Sequence, residues 1–313
     1  MASASGTARG FTPAALTFVR RYSSRCCTAA TLFAAGLLIA QAPNDDVKPA
    51  QPENISLKTT DGVTLAATFY ASERGKNAAC VILLHDDGGK RTELDRLARR
   101  LQLIGAAVIV PDLRGHGESA GEVKQLRLED YQAMVARDLE TVKGFLVKRN
   151  NAGELNIERL GIVGVHLGAA LAINWAAHDW SWPELAVGKQ GQDVKALALI
   201  SPEWSYKGLR IGEAIVEPDI QTELSIFIVA GRGLDKFHSE ARRLYKNFAK
   251  HHDVSPSQPI EGQTLFFQSP STTLQGQQLL NEPSVDVETM IAEFVELRLI
   301  DPAFTWQMRK PPL

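Results

Sequence analysis

The stretch GIVGVHLGAAL, residues 161–171, constrains this chain more than any other. An apolar run ends in Gly164-Val165-His166-Leu167-Gly168, and an alanine-rich helical stretch begins at once. Glycines two residues either side of a central residue allow backbone segments to approach closely in a tight strand-to-helix turn. Such a turn projects its central side chain at the carboxyl end of a strand, where open α/β sheets place their ligands. The frame ordinarily presents a nucleophile, usually Ser; here it presents His166. Two readings follow: an unusual nucleophile, or a fold that has lost its chemistry.

The chain has 313 residues, 44% hydrophobic and 22% charged, which is ordinary globular usage. That length suits one large α/β domain or two small ones with a sizeable core. A net charge of −2 gives no electrostatic case for nucleic acid. The N-terminus differs from the rest. Residues 1–42 carry Arg9, Arg20, Arg21 and Arg25 and no acidic residue. The apolar run Thr28–Ala40 follows, then the small-x-small site Ala40-Gln41-Ala42. This is the layout of a secretory signal peptide over 1–42, and the run is too short to span a bilayer comfortably. Pro43 makes a poor scissile bond, so an uncleaved anchor is the alternative. The expected location is periplasmic or extracellular, with no integral membrane domain beyond such an anchor. Removing four of the 34 basic residues and none of the 36 acidic ones leaves a charge of −6. Cys26 and Cys27 leave with the leader, and the remaining Cys80 can form no intramolecular disulfide.

Residues 43–53 are polar and proline-rich and read as a linker, followed by a folded domain over 54–313. Two strands flank Asp61-Gly62, a hairpin signal. ACVILL and AAVIV are continuous apolar runs suited to strands buried on both faces. LGIVGV, VKALALI, LSIFIVA and QTLFFQ complete eight strands. Helical periodicity marks Leu94 to Ile104, a long helix through Met134 and Leu146, Leu167 to Ala177, Ser239 to Phe248, and about Val285 to Leu299. A hairpin followed by alternating α and β elements implies a mostly parallel eight-stranded sheet with helices on both faces.

Four strand ends carry chemistry: His85-Asp86-Asp87-Gly88-Gly89, PDLRGHGES from Pro111 to Ser119, the His166 turn, and Gly231-Arg232-Gly233-Leu234-Asp235. In this order and spacing they resemble the α/β-hydrolase family, in its serine esterase and lipase-like branch. The resemblance covers about residues 54 to 300 and implies the α/β-hydrolase fold. It places the nucleophile at His166, the acid at Asp235, and the oxyanion donors at the backbone N–H groups of Leu167 and Asp86. The family's histidine position falls on Gln275, in LQGQQLL, and no His follows His252. Nucleophile and base are thus both replaced.

The favoured expectation is an exported pseudo-hydrolase that binds a small ligand or a partner. One alternative is an active hydrolase of carboxylic esters or related acyl substrates, with His166 acting and Asp235 orienting it. Another is metal-dependent hydrolysis through His85, His116 and His166, since three histidines can ligate zinc. No cofactor is expected. Glu203, after VKALALI, is a weaker alternative acid, and the segment from Glu203 to Gln221 leaves room for a modest cap.

Overall fold

A computed structural model describes residues 49–183, 188–255 and 257–309. The expected signal peptide and most of the linker lie outside the described residues. The first strand, β1, is Glu53–Lys58, antiparallel to β2, Thr64–Tyr70. There follow β3 (Cys80–Leu84), α1 (Asp95–Leu103), β4 (Ala107–Pro111), α2 (Leu128–Ala133), α3 (Leu139–Asn151), β5 (Leu160–Val165) and α4 (Leu167–Trp180). After β6 (Val194–Ile200) a short hairpin, β7 (Ser205–Tyr206) and β8 (Leu209–Arg210), precedes α5 (Pro218–Thr222). The chain closes with β9 (Ser225–Val229), α6 (Asp235–Phe248), β10 (Leu265–Gln268), α7 (Gly276–Leu280) and α8 (Val287–Val295).

The eight-stranded sheet runs β1-β2-β4-β3-β5-β6-β9-β10. From β4 to β10 every pairing is parallel, as in Ile82 opposite Ile162 and Leu199 opposite Ile228. β3, β4, β5 and β9 are buried at every position, as strands covered on both faces must be. One apolar layer, including Met134, Leu146, Leu171 and Trp175, joins α2, α3 and α4 to one face. The other, including Leu97, Leu101, Ile291 and Phe294, joins α1 and α8 to the opposite face. The order reverses at β3, whose neighbours are β4 and β5. A crevice opens at such a switch point, so the loops after β3 and β5 are brought together.

Three elements depart from the sequence expectation. The long helix expected through Met134 is α2 and α3 joined by a π-helical turn, Met134–Asp138. Within that turn buried Asp138 receives two hydrogen bonds from the guanidinium of Arg114, of 2.9 and 2.5 Å. The modest cap is the β7–β8 hairpin with α5. Past α8 and a second π turn, Glu296–Ile300, the chain runs as an irregular strap to Arg309. Asn150 and Asn151 donate to the carbonyls of Gln307 and Arg309, and buried Arg309 pairs with Glu158 and Asp193.

Candidate active site

β5 ends at Val165, and the chain turns into α4 through His166 at φ 44°. Few side chains accept a positive φ, and histidine is among those that do. The two flanking glycines are required by close approach. A Cβ on Gly168 would lie 2.3 Å from the carbonyl oxygen of Leu84, and one on Gly164 the same distance from that of Gly168. The turn expected from the sequence is therefore present, with its side chain at the mouth of the switch-point crevice.

That side chain does not face open solvent. His166 Nδ1–H donates to Asp86 Oδ2 at 2.7 Å. Nε2 is buried and has no hydrogen-bond partner among the described residues. The ring stacks on Phe237 of α6 at 5.2 Å between centroids, 21° from parallel. On its other side lies Gly276, at φ +53°, where a Cβ would come within 2.6 Å of His166 Cε1. Only a glycine lets the backbone pass so near the imidazole.

Asp86 was expected to offer its backbone N–H. Its carboxylate lies beside the Leu167 N–H, the other expected oxyanion donor. Oδ1 accepts from the Asp87 N–H at 2.7 Å and, over a long 3.4 Å, from the Leu167 N–H. Leu167 opens the 14-residue helix α4, whose first turn attracts negative charge through its free N–H groups and aligned peptide dipoles. His166, the N-cap, supplies no side-chain cap of its own. Asp86 supplies the anion from the neighbouring loop. A developing oxyanion at Leu167 would meet a carboxylate already there. Two like charges 4 Å apart repel by about 4 kcal/mol at an effective dielectric of 20.

Gln275 is buried away from His166. Its Oε1 accepts from Ser201 Oγ at 2.7 Å and its Nε2 donates to the Gly231 carbonyl at 2.7 Å. Ser201 Oγ in turn accepts from the Gly276 N–H at 2.9 Å. The side chain is thus a rivet that joins the residue after β6 to the loop after β9 at the start of α7. Asp235 departs from its expected role as well. It is exposed in the first turn of α6, and its carboxylate makes no side-chain hydrogen bond or ion pair among the described residues. The acid that orients His166 is Asp86, because the switch point joins the loops after β3 and β5. Glu203 pairs with Lys236 at 2.7 Å.

The histidine cluster does not converge on a metal. His85 Nε2 accepts from the Leu113 N–H at 3.0 Å, and its Nδ1–H donates to the Asp86 carbonyl at 2.6 Å. Burial holds the His85 pKa down to about 4. His116 bonds the Arg114 carbonyl at 2.9 Å and Asp87 at 3.2 Å. Both histidines hold loops, and their ring nitrogens are used in doing so. Asp87 completes the clamp: Lys207, at the tip of the β7–β8 hairpin, reaches it at 2.6 Å. Burial pushes the Asp87 carboxyl up, but the Lys207 hydrogen bond and charge bring it below its ordinary value. Phe237, Ser201 and Lys207 carried no signal in the sequence. Asp86 was singled out in the sequence, but for its backbone N–H and not for its carboxylate.

A family model described as serine aminopeptidase, S33, matches residues 75–208. An esterase of Pyrococcus furiosus superposes with a TM-score of 0.57 at 16% identity, over 80% of this chain and 91% of its own. A thermostable carboxyl esterase from Bacillus coagulans gives 0.58 at 13% identity, over 79% and 98%. No curated protein sequence matches the chain. At these identities the solved neighbours speak for the fold, which is also that of the strand order. The matched segment runs from ahead of β3 to the tip of the β7–β8 hairpin, and with the solved neighbours it agrees that this chain has the α/β-hydrolase fold.

Proposed function

We propose that this chain is a hydrolase-fold protein that binds a small ligand or a partner and does not turn over esters by the serine route. One observation carries the reading: the Asp86 carboxylate lies on both the Leu167 N–H and His166 Nδ1. A serine hydrolase stripped of its triad keeps roughly 10³–10⁴ over water, from the oxyanion hole and binding. Filling the oxyanion position removes the larger part of that remainder. His166, with Nδ1 engaged and Nε2 buried against Gly276 and Phe237, is not presented to a substrate carbonyl.

The test is stopped-flow hydrolysis of p-nitrophenyl acetate by the wild type and by His166→Ala. The expected result is no burst and equal slow rates. A burst stoichiometric with protein, abolished in His166→Ala, overturns the reading. That outcome would favour the second reading, a hydrolase of acyl substrates in which His166 acts and Asp86 orients it. The lack of a hydrogen-bond partner at Nε2 among the described residues is the observation on its side.

Export belongs to the same proposal. The basic, apolar and small-residue segments of 1–42 support it. N-terminal sequencing of protein recovered outside the cytoplasm is expected to begin at Pro43. A start at residue 1 or 2 would argue for an anchor, and recovery only from the cytoplasm would argue against export.

A further inference from the structure

Two cavities open away from His166. One, of about 400 Å³, is lined by α3 and the chain near Arg309. The other, of about 550 Å³, runs along α6 and faces Trp204. Its cationic lining is Arg242, Arg243, Lys246 and Lys250. None of the four pairs with a carboxylate among the described residues, although the body is acidic overall. The nearby carboxylate, Glu240, accepts from the Trp204 N–H at 2.6 Å and is turned into that loop.

We propose that this groove binds a short acidic stretch of polypeptide. The four cations are spread along residues 242–250 rather than drawn from separate elements around one point. Arg242 and Lys246 stand one turn apart on α6, Arg243 lies beside Arg242, and Lys250 follows two residues past the helix end, so that the row spans on the order of 12 Å. An extended chain covers that distance in about four residues, with alternate side chains on one face about 6.6 Å apart. Asp or Glu at alternate positions therefore reaches successive cations. Arg243 is already held, its guanidinium 3.7 Å from the Trp204 ring centroid, so less side-chain freedom is lost on binding. That stacking also covers the aromatic face on which a nucleic-acid base would sit. The concave shape does not fit a flat anionic lipid surface.

The test uses the folded chain and fluorescence anisotropy with a labelled peptide of alternating Glu and Ser. Its Lys/Ser counterpart, inorganic tripolyphosphate as competitor and phosphatidylglycerol vesicles complete the set. The acidic peptide is expected to bind, to weaken at least tenfold between 50 and 300 mM salt, and to weaken at least tenfold in R242A/K246A/K250A. All three positions are exposed and outside the His166 site, and circular dichroism confirms that the variant folds. Absence of acidic-peptide binding at 50 mM salt overturns the proposal. So does binding that the triple substitution leaves unchanged. Tighter binding to vesicles or to tripolyphosphate than to the peptide overturns it in favour of those ligands. None of these outcomes depends on whether His166 is catalytic, which the ester assay decides separately.

Discussion

At residue 86 a carboxylate follows His85, and its contacts decide what the neighbouring residues can do. It orients His166 through Nδ1 and accepts from the Leu167 N–H at the start of α4 over a long 3.4 Å. The turn that carries His166 was legible in the sequence, because GVHLG has an unmistakable frame. The place of Gln275 just ahead of a late helix was legible too. What Gln275 does was not, since its partners Ser201 and Gly231 lie 74 and 44 residues away in the chain. Spacing alone likewise could not show that Asp235 faces solvent while Asp86 reaches the imidazole. His85 allows a quantitative check at this scale. Its folded pKa of about 4 lies below the ordinary 6.5. Between those values the unfolded chain binds more protons, so stability falls as pH drops from 6.5 to 4. The histidine accounts for roughly 3 kcal/mol of that fall. Urea unfolding of His85→Gln at pH 7 and pH 4 is expected to show a weaker protein whose loss over this interval is smaller by that amount. An unchanged difference would remove His85 as the cause.

Among the elements, those with strong periodicity were readable and those held by long-range contacts were not. The eight strands follow from apolar runs bounded by polar turns. α2 and α3 read as one helix because the π turn between them preserves the apolar stripe, and only its ion pair with Arg114 marks the break. The C-terminal strap has no periodicity at all and is held by polar contacts. Arg309 meets Asp193 and Glu158, while Lys143 bonds Asp179 at 2.5 Å and lies 3.3 Å from Asp193. Removing one partner of a buried pair costs about 3–5 kcal/mol because it strands the other charge. Lys143 and Lys189 still neutralise Asp193, so Arg309→Ala is expected at the lower end, about 3 kcal/mol, by chemical denaturation. A loss below about 0.5 kcal/mol, the size of an ordinary surface substitution, would mean that the strap does not hold the fold.

For the whole molecule, the order of elements was enough to set the architecture. A hairpin and then alternating strands and helices admit few arrangements when crossovers are right-handed. The same topology explains the site, because reversal of strand order at β3 is what brings Asp86 to His166. The fold supplies the geometry of a hydrolase, and in the proposed function the Asp86 carboxylate closes it. The most direct test compares two reconstructed proteins on p-nitrophenyl butyrate. His166→Ser with Gln275→His restores the nucleophile and base. A second protein carries these and Asp86→Gly. Loss of a single oxyanion donor costs about 10²–10³ in rate, so emptying the pocket is expected to raise turnover at least tenfold. Equal turnover in the two proteins would contradict the account.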